Sequence, residues 1–411
     1  MNLLMEKIKQ IMKEGPLGIY LMAFLIPLNA KWLGFGVLII ILEQIIRRTP
    51  IRKENIKKQL SLKNPGLWLF LFYFMHIVGL IHTENMAFAN MDLGMKATLA
   101  IFPVFFLLYQ PLVRWSAFVK CFVFGAFASI LVNVALSMEA FLNSGAFYYM
   151  RGSNLSQMMH RGYWAVYLLM AYLFLLKMAI VAVDRIKIFL NLLGALFIAV
   201  FVVLSESKVG YLLLAVISIW EVVKFIKAHK NKWLIPIAAA VFVGGGILVY
   251  TLMPSAVQRI SKTFEVMSKP LESYDKTSAE STTARLFVWD ASVDLIKENF
   301  WFGVGTGDIK DELRQRNLDK GYTGVAQMNL NSHNQFLNSH VAIGVFGSLF
   351  LLMTIVSNLF KFNPDPFRSW RLGIVFILFI ALLPESMLEV QAGIIPYAFF
   401  LTFLTAFKPK V

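Results

Sequence analysis

Apolar runs about as long as a bilayer is thick recur from one end of this chain to the other, and they decide its class before any motif does. They fall at roughly 16–30, 32–47, 65–82, 92–109, 113–138, 161–181, 187–204, 208–226, 233–253, 333–360, 371–388 and 391–407. Because ~20 apolar residues in a helix cross the hydrocarbon core, the pattern predicts an all-α polytopic membrane protein with about twelve transmembrane helices. The first two runs are short enough to form a re-entrant pair. A chain with 58% hydrophobic residues, 15% charged residues and a mean hydropathy of +0.65 could not hide its apolar surface in a water-soluble fold. A transmembrane barrel would need short alternating segments, whereas these runs are continuous. The single cysteine, Cys121, lies inside a span and can form no intramolecular disulfide.

Lys7, Lys9 and Lys13 precede the first run, which ends Leu28-Asn29-Ala30 and resembles a secretory signal. A second apolar run follows at once, so the expectation is an uncleaved first span. Basic residues then fall on alternate connections: Arg47, Arg48, Arg52, Lys53, Lys57, Lys58 and Lys63; Arg114; Arg185 and Lys187; Lys224, Lys227, Lys230 and Lys232; Lys361, Arg368 and Arg371; Lys408 and Lys410. By the positive-inside rule that side is cytoplasmic, and both termini lie there. The net charge of +15 is thus mostly a topology signal, and no nucleic-acid partner is expected. The opposite connections, His82 to Asn90, Glu139 to His160, Ser205 to Ser207 and Glu385 to Gln391, are nearly free of Lys and Arg apart from Arg151.

The chain is read as a single integral membrane domain, 1–411, with one large polar interruption at 254–332 between the ninth and tenth predicted spans. The alternation of charge makes it an extracytoplasmic loop lobe. Within it, Ser281-Thr282-Thr283 is expected to cap a helix whose apolar face is Leu286, Trp289, Val293 and Ile296. The helix ends near Asn299 and runs into the glycine-rich turn Phe300-Trp301-Phe302-Gly303-Val304-Gly305-Thr306-Gly307. Outer-side cations are few: Arg161 after His160 at the start of one span, Lys208 opening another, and Arg285 in the lobe. A cation at the membrane edge is costly to desolvate unless paired, so these point to an anionic ligand, and phosphate suits the guanidinium fork. Lys208 and Arg161 could equally snorkel to headgroups, and Arg285 could pair with Asp290 or Glu298. His333 could simply sit in a helix cap. His340 lies on the same helical face, but no further ligands are in view and no metal site is expected. No phosphate loop of the Gly-x-x-x-x-Gly-Lys type occurs, so any group transfer on the outer face needs a donor that arrives already activated.

From about Ser281 to Phe350 the chain resembles the superfamily of O-antigen ligases and O-antigen polymerases, bacterial envelope glycosyltransferases. The residues that carry the likeness are Arg285 and Trp289, Asn299 through Gly307, Ser332-His333-Asn334-Gln335-Phe336-Leu337, and Gly344-Val345-Phe346-Gly347. His160-Arg161-Gly162-Tyr163 and Ser207-Lys208-Val209-Gly210 are weaker matches upstream. The resemblance implies a GT-C-type fold in the bacterial inner membrane, with the active site on the periplasmic face. It implies metal-independent transfer of a glycan from undecaprenyl pyrophosphate with no cofactor, to a sugar hydroxyl of lipid A-core in the ligase branch or to another lipid-linked repeat unit in the polymerase branch. His333 and Arg285 are the catalytic candidates it implies. His333 would act as general base or position the acceptor, and Arg285 would hold the pyrophosphate. Lys208, Arg161, His160, Asn334 and Trp289 are the candidates for substrate binding. The family usually carries Arg where this chain has Lys208, which keeps the charge but loses the planar fork.

The ligase branch is favoured because only one outer loop is large. A polyprenyl pyrophosphate already leaves readily, so cations to bear its charge matter more than an acid, and a neutral imidazole can take the proton of the attacking hydroxyl. Direct displacement would invert the anomeric centre. The competing class is a lipid or glycolipid transporter, which would place paired ionisable residues deep within several spans; the sequence shows few beyond Lys96 and Lys120.

Overall fold

The computed structural model describes residues 15–47, 56, 60–229, 251, 254–360 and 367–409. The N-terminal lysines, most of the basic stretch 48–59, Lys230, Lys232, Lys361, Lys410 and the ninth predicted span, apart from residue 251, lie outside the described residues.

Helices begin where a polar side chain stands immediately before an apolar run. Asn64 accepts from the Gly66 amide, with Pro65 at the first helical position, to open Pro65–Val78. Asn85 does the same for Met86–Lys96, and Asp184 for Arg185–Leu204. Six helical segments among the described residues are long and apolar enough to cross a membrane: Pro65–His82, Met86–Leu108, Trp115–Ser144, Arg161–Val181, Arg185–Leu204 and Lys208–Lys227. Leu17–Leu28, Val345–Ser357 and Gln391–Ala406 are shorter apolar helices. The chain is therefore a largely helical polytopic membrane protein. Among the described residues, one two-residue parallel ladder, Leu112–Val113 against Lys408–Pro409, is the exception.

Three expected spans differ in detail. The run at 92–109 begins earlier, because Asn85 starts a helix at Met86, and it is divided into Met86–Lys96 and Thr98–Leu108. The run at 333–360 is divided at Gly344, whose φ of 68° lies in the left-handed region that ends a helix. The run at 371–388 stops at Leu382, two residues before Pro384, which offers no amide to a continuing helix. That early stop frees residues 383–390 to form a connection.

The chain divides into two compact units, one of residues 1–122 with 271–411 and one of residues 123–270. In the first, Pro65–Val78 packs against Val345–Ser357 and Thr98–Leu108 packs against Gln391–Ala406. Phe399, Phe403 and Phe407 stack at four-residue spacing, with ring centroids 4.9 and 4.8 Å apart. In the second, Arg161–Val181 is buried along most of its length between Arg185–Leu204 and Lys208–His229. Two buried ionisable clusters were not legible in the sequence. Lys177 lies 3.1 Å from Glu221 in the second unit, and Lys96 in the first meets both Asp92 at 2.7 Å and Glu389 at 3.0 Å.

The part of the polar interruption belonging to the first unit is a small helical lobe. Its helix Ser281–Glu298 packs with Ile309–Asp319 and Thr323–Gln327 around Ala284, Phe287, Val288, Tyr322 and Val325. Two local expectations are corrected here. The cap is Glu280, whose carboxylate accepts from the Thr282 and Thr283 amides and complements the helix dipole better than a hydroxyl. The buried face is Ala284, Phe287, Val288, Ala291 and Leu295, leaving Val293 exposed. The buried face thus includes the small residues Ala284, Ala291 and Ser292, which a search for large apolar side chains passes over.

Candidate active site

The first unit brings three polar side chains together at the edge of the lobe. Asn334 accepts from the Phe336 and Leu337 amides at 2.9 and 3.1 Å and so caps the helix Gln335–Ile343. The cap role therefore belongs to Asn334, and His333 lies just outside the helix. The φ of His333 is 43°, a left-handed conformation uncommon for a residue with a side chain, and its amide donates to Asn331 Oδ1 at 3.0 Å.

His333 Nδ1 stands 3.0 Å from Glu385 Oε1. An ionised carboxylate can only accept, so Nδ1 donates to it, and in the neutral imidazole that tautomer puts the lone pair on Nε2. The other Glu385 oxygen lies 3.5 Å from Arg285 Nη2. Side-chain exposures of 23% for His333, 23% for Arg285 and 21% for Glu385 leave all three open to a substrate. Arg285 does not pair with Asp290 or Glu298, which are engaged by Lys320 and Arg316. Its Nε donates to Pro384 O at 3.1 Å, and its Nη1 donates to Ser281 O and Oγ, both at 2.8 Å. Among the described residues the Nη2 edge is held only by the longer ion pair and is the part of the guanidinium least committed to protein.

The connection that carries Glu385 is fixed from below. Gln335, fully buried, accepts from the Leu388 amide at 2.6 Å and donates to Glu389 at 3.2 Å, while Glu389 in turn meets Lys96. The histidine's helix and the glutamate's loop thus share a hydrogen-bonded anchor. Ser332 and Ser292, both buried, join Oγ to Oγ at 2.9 Å and tie the histidine's approach to the lobe helix that bears Arg285.

The glycine-rich turn and the helix break lie against each other. The amides of Val304 and Gly305 donate to Val341 O and Ala342 O at 2.8 and 3.1 Å, and Val345 N donates to Phe300 O at 2.9 Å. Gly303 has φ 71°, and a Cβ there would come within 2.5 Å of the Ala342 backbone. His340 joins the same contact, 3.2 Å from Phe300 O and 3.2 Å from Ser348 Oγ. These motif glycines serve close backbone approach. Trp289 packs against the lobe core, with its indole N–H buried and without a hydrogen-bond partner among the described residues.

His160, Arg161 and Lys208 belong to the second unit. His160 Nδ1 accepts from the Gly162 amide at 3.3 Å as the cap of Arg161–Val181, and Lys208 opens Lys208–His229. A Cβ at Gly152 would lie 3.2 Å from Glu206 Oε2 and 3.7 Å from Arg161 Nη1, so Glu206 and Arg161 flank that glycine. Arg151 reaches Glu206 at 3.8 Å. Arg151 and Arg161 therefore stand near an acid, Glu206, that carries no motif signal of its own. Glu385 carries no local signal either, being an isolated acid in a short connection whose partners His333 and Arg285 lie 52 and 100 residues away along the chain.

Residues 193–352 match the model of a protein family described as O-antigen ligase. The resemblance to that superfamily holds over this stretch, which takes in Lys208, Arg285, Trp289, His333 and Asn334 and ends before Glu385. A curated protein of Haemophilus influenzae, described as uncharacterized, is 28% identical over 162 residues, 39% of this chain and 39% of that protein. The chain thus spans about two-fifths of the length of the relative it matches.

Proposed function

We infer that this protein, whose residues 193–352 match the O-antigen ligase family, transfers a glycan from undecaprenyl pyrophosphate to a sugar hydroxyl of lipid A-core on the periplasmic face of the bacterial inner membrane. The observation that carries the reading is the orientation of His333 by Glu385, with Arg285 on the carboxylate's other oxygen. In the proposed step the acceptor hydroxyl attacks the anomeric carbon and forms a new glycosidic bond. Its proton goes to His333 Nε2, and the bond to the pyrophosphate oxygen breaks with the electron pair leaving on that oxygen. The Nη2 edge of Arg285 bears part of the growing charge on the donor pyrophosphate. Asn334 Nδ2 bonds no described residue and could donate to an acceptor hydroxyl. One displacement without a glycosyl-enzyme intermediate inverts the anomeric centre. The His–carboxylate pair supplies the base without a metal, and full turnover after chelation is the corresponding expectation.

Movement of a glycolipid across the membrane is the second reading, and the buried Lys177–Glu221 and Lys96–Asp92–Glu389 clusters are the observations that favour it. The experiment that separates the readings supplies purified protein with a lipid-pyrophosphate glycan and either lipid A-core or a second lipid-linked unit. A capped core is the expected product. A lengthened lipid-linked polymer would make the protein a polymerase, and unchanged substrates would remove the transferase reading.

A further inference from the structure

The second unit contains a cleft that the proposed transfer does not use. Its volume is about 480 Å³, within the range of small-molecule sites, roughly 300–1,000 Å³. One wall is the end of the helix Trp115–Ser144, where Leu136, Glu139, Ala140 and Asn143 recur at the spacing of a single helical face. The other is the segment 149–157, with Tyr149, Ser153, Asn154 and Gln157.

Buried side chains build this cleft. Asn133, fully buried, accepts from the Gln157 and Met158 amides at 2.9 and 3.1 Å, and Ser137 donates to Asn154 O at 2.9 Å. Both hydrogens of the Gln157 amide are committed, to Ser137 Oγ and Asn154 O, each at 3.1 Å, which turns Gln157 Oε1 outward as an acceptor. The Asn154 amide nitrogen donates to Tyr148 O at 3.4 Å and likewise leaves its Oδ1. The Glu139 carboxylate and the Asn143 amide bond no described residue.

The lining therefore offers several acceptors, one negative charge and no lysine or arginine. Such a surface repels phosphate and carboxylate oxygens, and it matches a ligand with many hydroxyl or amine hydrogens to give. Tyr149, packed edge-on to Tyr148 with centroids 5.6 Å apart, adds an electron-rich aromatic face for an array of polarised C–H groups. We propose that this cleft binds a neutral or amine-bearing saccharide. The inference rests on the glycan-transferring reading only for the source of that saccharide, because occupancy of the cleft needs no turnover.

The test uses the full-length protein in nanodiscs on an array of immobilised neutral, amino-sugar and uronic-acid oligosaccharides free of lipid. Neutral or amino-sugar members are retained and uronic-acid members are not. Tyr149→Ala and Asn143→Ala each weaken retention at least about tenfold, since a lost contact of ~1.4 kcal/mol is a tenfold change. Tyr149→Phe retains the sugars, and so does His333→Ala, which separates the cleft from the transfer site. Retention of no sugar, equal retention of uronic acids, or unaltered retention by the Ala variants overturns the proposal. Wild-type protein that retains sugars and transfers none leaves the cleft standing and removes the transferase reading.

Discussion

The imidazole Nδ1 of His333 lies 3.0 Å from Oε1 of Glu385, 52 residues further along the chain. The carboxylate decides which ring nitrogen keeps the lone pair. Glu385→Gln presents an amide that can either accept from or donate to Nδ1, so part of the population holds the wrong tautomer. Turnover of lipid-linked donor should fall by about 10²–10⁴-fold, as for loss of an orienting group or general base. The Michaelis constant for donor should change little, and steady-state kinetics on the purified variant check the split.

Gly344→Ala should destabilise the first unit. Gly344 combines φ 68° with a backbone approach by Trp301, so a methyl group meets both backbone strain and a clash with the Trp301 carbonyl. A loss of at least about 1–3 kcal/mol is expected from the strain alone. A lowered thermal midpoint in detergent, with a matching loss for Gly303→Ala on the other side of the contact, is the readout.

Lys96→Met leaves a buried Asp92 and a part-buried Glu389 without their shared cation. Removing one partner of such a cluster costs about 3–5 kcal/mol. Asp92→Asn, which keeps the shape and leaves one carboxylate for Lys96, should lose less. Thermal unfolding of the two variants beside wild type ranks them.

Alkali should loosen the lobe. Burial and the hydrogen bond to Asp290 push the Tyr322 phenol up to about 12. Burial works against the Lys320 ammonium, yet hydrogen bonds to Asp290 and Asp294 outweigh it and hold its pKa above the ordinary value. Both groups bind protons more tightly in the folded lobe, so their contribution is complete below about pH 10 and is lost as pH rises through the raised values. Tyr322→Phe should remove the phenolate transition near 12 from the absorbance titration of wild-type protein and flatten the loss of stability over that window.

Span positions were legible because apolar length alone specifies a membrane helix, and Arg161–Val181 was read to the residue. Breaks inside spans were less so: Gly344 and Pro384 were visible as residues, but the effect of each depends on what packs beside it. His333 and Arg285 could be picked out from local pattern and family likeness. Their common partner could not, because Glu385 carries no local signature and acquires meaning only when a connection folds back onto two distant helices. The ion clusters were hidden for the same reason, since Lys96 meets Glu389 and Lys177 meets Glu221 across long stretches of chain.

Turnover by His333→Ala, Glu385→Gln and the double variant, against wild type and with the same lipid-pyrophosphate glycan and acceptor, tests the central claim most directly. If the two side chains act as one proton-accepting unit, each single change lowers the rate and the double variant is no slower than His333→Ala. Wild-type-like transfer by His333→Ala, or losses that multiply in the double variant, would contradict it.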